Sequence, residues 1–135
     1  MGSISPPSHY ALVVDDDGLI RMDVADILEE AGFHAIEASS GDHALEVLRT
    51  HHERITLLFT DVQMPGTRDG FALAREAARH YPLISIVVAS GLTQPKPGDM
   101  PEGACFIAKP FSANIVHRHL REVLPEDRKP HQLKA

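Results

Sequence analysis

The stretch Ala11-Leu12-Val13-Val14-Asp15-Asp16-Asp17 decides how this chain is read. Four apolar residues run without interruption and end in three carboxylates. A second run, Ile55 to Phe59, ends in the same way at Thr60 and Asp61. Continuous apolar segments of this length mark strands buried on both faces of a sheet. Charges at the ends of such strands lie at the mouth of the sheet, where α/β proteins bind ligands. Side chains alternate along a strand, so Asp15 and Asp17 point one way and Asp16 the other. Carboxylates from neighbouring strand ends repel unless a cation lies between them. Hard oxygen ligands suit Mg²⁺, which takes one or two carboxylates, waters and phosphate oxygens.

Outward from these strands the pattern alternates. Ile20, Val24, Ile27, Leu28 and Ala31 recur at helical spacing, with Gly32 as a stop. Phe33 to Ala38 reads as a short strand. Asp42 to about His51 reads as a helix with Ala44, Leu45 and Leu48 facing inward. After Ile55 to Thr60 the chain turns at Met64-Pro65-Gly66. Asp69 or Gly70 then opens a helix bearing Leu73, Ala74, Ala77 and Ala78. Ile84 to Ala89 and Ala104 to Ala108 are further strands, and Ser112 is an N-cap for a last helix carrying Ile115, Val116, Leu120 and Val123. Strand and helix in alternation predict an α/β domain with a parallel sheet covered on both faces. One segment breaks the rhythm. Between Ser90 and Phe106 a helix is due, yet Pro95, Pro97 and Pro101 fall there with Gly98 and Gly103. Each proline costs about 3 kcal/mol in a helix interior, so a loop or at most one turn is expected.

The 135 residues make one domain, and an apolar fraction of 43% suffices for a core. A net charge of −6 argues against a nucleic-acid surface. The lone Cys105 forms no internal disulfide, which fits a reducing, cytoplasmic compartment, and it reads as a small buried apolar residue. No apolar run approaches the roughly 18 residues of a membrane span, so no membrane role is expected. Residues 1–8, rich in Ser and Pro, read as disordered; 9–124 as the folded domain; 125–135 as a polar tail. The His51-His52 pair and the His117/His119 pair share no helix face, so the histidines read as surface residues.

At this point the residues match a family. VVDDD (Val13 to Asp17), FTDVQMPG (Phe59 to Gly66), Asp69-Gly70, VVASG (Val87 to Gly91) and FIAKPF (Phe106 to Phe111) stand in order, each at a strand end. Over residues 9–124 the chain resembles the receiver domain of two-component response regulators. The resemblance implies a flavodoxin-like, doubly wound sheet of strand order 2-1-3-4-5; the prolines leave its fourth helix shortened or replaced by a loop. It implies Asp61 as acceptor of a phosphoryl group from a histidine kinase or phosphotransfer protein. It implies Mg²⁺ held by Asp16 and Asp61, with the Gln63 backbone carbonyl as a third ligand and Asp15 acting directly or through water. Lys109 would contact the phosphoryl oxygens from a cis Lys109–Pro110 turn. Ser90 would donate its hydroxyl, and Phe106 would change rotamer with Ser90. Two departures stand out. The segment Met64 to Asp69 is one residue longer than the commonest pattern, at Thr67-Arg68. The missing helix belongs to the face that often carries output in the family.

Other readings stay open beside these. Asp15 to Asp17 suit helix capping, Ser90 a turn cap, and Phe106 the core. With no output domain after Leu124 the chain reads as a stand-alone receiver acting through a protein partner, with a weak homodimer as a further option. The alternative is a receiver cut from a hybrid kinase. A Mg²⁺-dependent phosphohydrolase also uses strand-end aspartates. It needs a general acid two residues after the nucleophile, where this chain has Gln63, and a cap domain, which is missing. A receiver that binds without phosphorylation is disfavoured by the complete set of Asp16, Asp61, Ser90 and Lys109.

Overall fold

The two acid-tipped runs lie side by side as strands β1 (Tyr10–Val14) and β3 (Ile55–Asp61), parallel, with Leu12 opposite Leu58 and Val14 opposite Thr60. This register brings both acidic ends to one edge. The computed structural model describes residues 9–134; the segment 1–8 expected to be disordered lies outside the described residues. β2 (His34–Ala38), β4 (Ser85–Ser90) and β5 (Cys105–Ala108) complete a five-stranded sheet of order β2-β1-β3-β4-β5, with every pairing parallel. Right-handed crossovers between parallel strands place helices on both faces.

The alternation of side chains divides the core in two. Ala11, Val13, Leu57, Phe59, Val87 and Ala89 pack against Val24 and Leu28 of α1 (Gly18–Glu30) and Val116 and Leu120 of α4 (Ala113–Val123). Leu12, Val14, Leu58 and Val88 face Ala44 and Leu48 of α2 (Gly41–His51) and Leu73, Ala74 and Ala77 of α3 (Gly70–His80). Asp17, Ser40, Asp69 and Ser112 cap the four helices through side-chain oxygens, each accepting a backbone N–H of the first turn. Gly32 follows α1 at φ +103°, the left-handed conformation that favours glycine.

Residues 91–104 contain no helix. Lys96 to Asp99 form a turn closed by Lys96 N–H donating to Asp99 Oδ2 at 2.8 Å, and Arg75 Nη1 on α3 donates to the Asp99 carbonyl at 2.7 Å. Met100 and Ala104 pack on the second core half. The prolines exclude the helix, and the segment covers the sheet with a pinned loop instead. The Lys109–Pro110 bond is cis.

The structure corrects several expectations. β4 begins at Ser85 and β5 at Cys105, one residue later than the apolar runs suggest. Ile20, expected on the inward stripe of α1, is exposed, and Ile27 and Leu45 are half-buried. Cys105 is half-buried on the outermost strand; burial pushes its thiol pKa up, and the nearby Glu122 adds to the rise. Its Sγ lies 3.3 Å from Nδ1 of His119. His117, expected on the surface, is half-buried with Nε2 2.9 Å from the Ile27 carbonyl oxygen, so it ties α4 to α1.

The largest correction concerns residues 125–134. They make two 3₁₀ turns, Glu126–Arg128 and His131–Leu133. Leu133, 1% exposed, joins the core half under α1 and α4, and Pro130 is buried against Gly32. A single leucine among polar neighbours gives no periodic pattern, so sequence reading takes the segment for a tail. Leu133→Ala is therefore expected to cost about 2–5 kcal/mol, the range for deleting a buried leucine side chain. Urea unfolding checks this, and a free tail would leave the midpoint unmoved.

Candidate functional site

Asp15, Asp16 and Asp61 come together at the carboxyl edge of the sheet, one ligand oxygen of each within 4.8 Å of the others. Asp15 is buried, Asp61 half-buried and Asp16 exposed, so the cluster opens to solvent through Asp16. Lys109, just beyond β5, reaches into it from across β4. Its Nζ donates to Asp61 Oδ1 at 2.9 Å and lies 3.5 Å from Asp15 Oδ2. Asp17 takes no part. Its Oδ1 accepts from the N–H groups of Leu19 and Ile20 as the cap of α1. The capping reading is thus right for the third aspartate and incomplete for the first two.

Burial pushes the Asp15 carboxyl above its ordinary value. The Asp17 N–H, which donates to Asp15 Oδ1 at 2.9 Å, pulls it down; Asp61 raises it, Lys109 lowers it and Asp16 raises it. Three clustered acceptor-only groups with one lysine hold an excess of negative charge, and all the ligand atoms are hard oxygens. That donor set fits a divalent cation of the Mg²⁺ class.

Ser90 ends β4 and is 2% exposed. Its Oγ accepts from the N–H groups of Leu92 and Thr93 at 3.3 and 3.1 Å, so it caps the turn into the proline-rich loop. Gln63 stands two residues after Asp61 and is exposed; its side-chain Nε2 donates to Thr93 Oγ1 at 3.0 Å. Phe106 pairs in register with Val88 and packs, half-buried, on the second core half. The packing is that of a core residue at the rim.

Three supports escape the sequence reading. Gly70 N–H donates to the Val62 carbonyl at 2.8 Å, and a Cβ on Gly70 would collide with the backbone carbonyl of Asp61. Arg21, on α1, donates from Nη1 to the Asp15 carbonyl and from Nε to Glu37 Oε1, both at 2.8 Å. Arg68 donates to Asp42 and Glu76. The Asp69-Gly70 pair carried a signal for Gly70; the arginines carried none, because their partners lie far away in sequence.

The sequence matches the family model described as response regulator receiver domain over residues 11–121. It is 33% identical over 118 residues to the response regulator receiver protein CpdR of Brucella abortus, covering 85% of this chain and 90% of CpdR. It is 31% identical over 122 residues to the sensor kinase CckA of the same organism, covering 87% of this chain but 13% of the kinase. Among solved structures, the chemotaxis protein CheY4 of Vibrio cholerae superposes with a TM-score of 0.75 at 27% identity, over 87% of this chain and 99% of that one.

The burial of Asp15 gives a pH prediction. Its folded pKa is raised above 3.8, so ionised Asp15 destabilises the fold at neutral pH, and this cost disappears as the pH falls toward 3.8. Asp15→Asn is expected to stabilise the metal-free protein at neutral pH, with a gain that shrinks as the pH is lowered. Urea unfolding in EDTA at several pH values measures it; a gain independent of pH contradicts the assignment.

Proposed function

Because the chain belongs to the response regulator receiver domain family, we propose that Asp61 accepts a phosphoryl group from a histidine kinase or phosphotransfer protein and that the phosphorylated domain acts by contact with a protein partner. The observation that carries the assignment is Lys109 Nζ set between Asp61 and Asp15 within the carboxylate cluster. Asp61 is the member of that cluster bonded to the lysine at the shorter distance, and it is open enough to meet a donor. A carboxylate is already a nucleophile at neutral pH and needs no general base. In the transfer an Asp61 oxygen forms the new P–O bond. The P–N bond to the donor imidazole breaks, and its electron pair stays on the ring nitrogen.

Asp15, Asp16 and Asp61, with the Gln63 backbone carbonyl, would hold Mg²⁺. When bound, the ion supplies charge neutralisation for the transferring oxygens. Lys109 adds a second positive charge at the same oxygens. Ser90 is suited to a donor role because its Oγ accepts two backbone N–H groups and keeps its own O–H for a phosphoryl oxygen. A change at Ser90 would be felt at Leu92 and Thr93, the first residues of the pinned loop, and Phe106 pairs with Val88, two residues before Ser90 on the adjoining strand. Gln63, where a hydrolase would carry an acid, supports a signalling role over a catalytic one. Among the described residues no helix is long and apolar enough to cross a membrane; a cytoplasmic site is part of the proposal. The described residues 9–134 fold as one unit.

Incubation with acetyl phosphate and Mg²⁺ is expected to add one phosphoryl group, read by intact mass, and Asp61→Asn to abolish it. Full labelling of the variant sinks the assignment. Mg²⁺ is also expected to raise the melting temperature of the wild type by binding the folded state. Asp16→Ala should remove that response while leaving the protein folded. A wild type whose melting is indifferent to millimolar Mg²⁺ speaks against the site.

A further inference from the structure

The loop Val62 to Asp69 carries the extra residue at Thr67-Arg68, and the phosphoryl chemistry of the site gives that residue no role. The loop is tied at its base by Gly70 N–H on the Val62 carbonyl and at its start by Gln63 on Thr93. Its far side is tied by Arg68. Nη1 donates to Asp42 Oδ1 at 2.5 Å on the first turn of α2, and Nε donates to Glu76 Oε1 at 3.2 Å on α3. One planar guanidinium therefore joins the loop to two helices at once. The backbone is fitted as closely. A Cβ on Gly41, the first residue of α2, would come within 3.0 Å of Arg68 Cβ and 3.1 Å of its carbonyl oxygen. Thr67 Oγ1 approaches both Asp42 oxygens at 3.4 Å.

The same corner of the sheet supports the other acidic loop. The Ala38 carbonyl accepts from Asp15 N–H at 3.2 Å, and Glu37 holds Arg21, which in turn holds the Asp15 carbonyl. Residues 37–42 thus bear on both loops that carry the carboxylates, one through Arg21 and one through Arg68.

We propose that Arg68 is a positioning residue for the acidic site, which fixes the Val62–Asp69 loop against α2 and α3 so that the Gln63 carbonyl and Asp61 are held ready for a divalent cation. The inference rests on the Mg²⁺ reading given above. The Arg68–Asp42 pair is open enough to solvent to contribute little to stability, so the effect is read at the site. Lysine cannot replace the fork, because a compact ammonium does not span two carboxylates on different helices with fixed geometry.

Charge and position predict opposite results, which makes the test sharp. Loss of a cation near a carboxylate cluster strengthens Mg²⁺ binding by simple electrostatics; loss of a brace weakens it. The full chain is titrated with MgCl₂ and followed by backbone amide shifts at Asp15, Asp16 and Asp61, for wild type, Arg68→Gln and Arg68→Lys. About tenfold weaker binding is expected for both Arg68 variants, the low end for outer partners of metal ligands, with unchanged shifts in the core strands. Tighter binding in Arg68→Gln, or wild-type binding in Arg68→Lys, overturns the proposal. Should Arg68→Gln fail to fold, Arg68→Lys, which keeps the charge and removes the fork, decides the same question. A wild type that shows no Mg²⁺-dependent shifts at the three aspartates refutes the metal reading itself, and this inference falls with it.

Discussion

Like charges converge where β1 and β3 end. Two unit charges about 4 Å apart near a protein surface interact by ~4 kcal/mol, an amount comparable with the roughly 5–15 kcal/mol by which a whole domain is stable. Three carboxylates within 4.8 Å therefore demand compensation. Lys109 supplies part of it, and to do so it must arrive from β5, two strands away from β3. The chain satisfies this only as a completed parallel sheet. Each strand needs its crossover helix, and each helix needs its half of the core. The site draws its groups from the ends of β1, β3 and β5, so it exists only in the assembled sheet.

The charge that Lys109 leaves unbalanced is what makes the site useful. Asp15 is buried with its pKa raised, Asp16 is open, and Asp61 is between the two. A carboxylate cluster held together by backbone geometry rather than by its own preference has the donor set that suits a divalent cation, on which the proposed phosphoryl transfer rests. The supports around it act on backbone: Arg21 on the Asp15 carbonyl, Gly70 beneath the Asp61 carbonyl, Ala38 on the Asp15 N–H. On the other side Ser90 and Gln63 meet Leu92 and Thr93. The proline-rich loop that takes the place of a helix is thereby fastened to the site at one end and to α3 through Arg75 at the other.

Much of this was legible in the residues, for identifiable reasons. Continuous apolar runs ending in acid gave the parallel sheet and the edge at which the site lies. Helical stripes gave all four helices, and Ser112, Asp69 and the Asp15 to Asp17 run marked three of their starts, since capping is a local effect written in neighbouring residues. Pro95, Pro97 and Pro101 gave the loop because a missing N–H excludes a helix wherever the chain goes. What escaped was long-range or aperiodic. Leu133 is one apolar residue without a pattern, so its docking in the core half under α1 and α4 was invisible. Arg68 looked like a loop insertion until Asp42 and Glu76 were brought to it. Cys105 looked buried by type but sits on an edge strand, half open, beside His119. Asp17 belonged to the acidic motif by sequence and to the cap of α1 by structure.

The central claim is that the phosphoryl group resides on Asp61 and not on its neighbours. Acyl phosphates are reduced by borohydride, which converts the modified aspartate to homoserine and marks it permanently. Wild-type protein phosphorylated in the presence of Mg²⁺, reduced and mapped by peptide mass analysis should carry homoserine at position 61 and nowhere else. Homoserine at Asp15 or Asp16, or none at all from protein shown to be phosphorylated, would contradict the account.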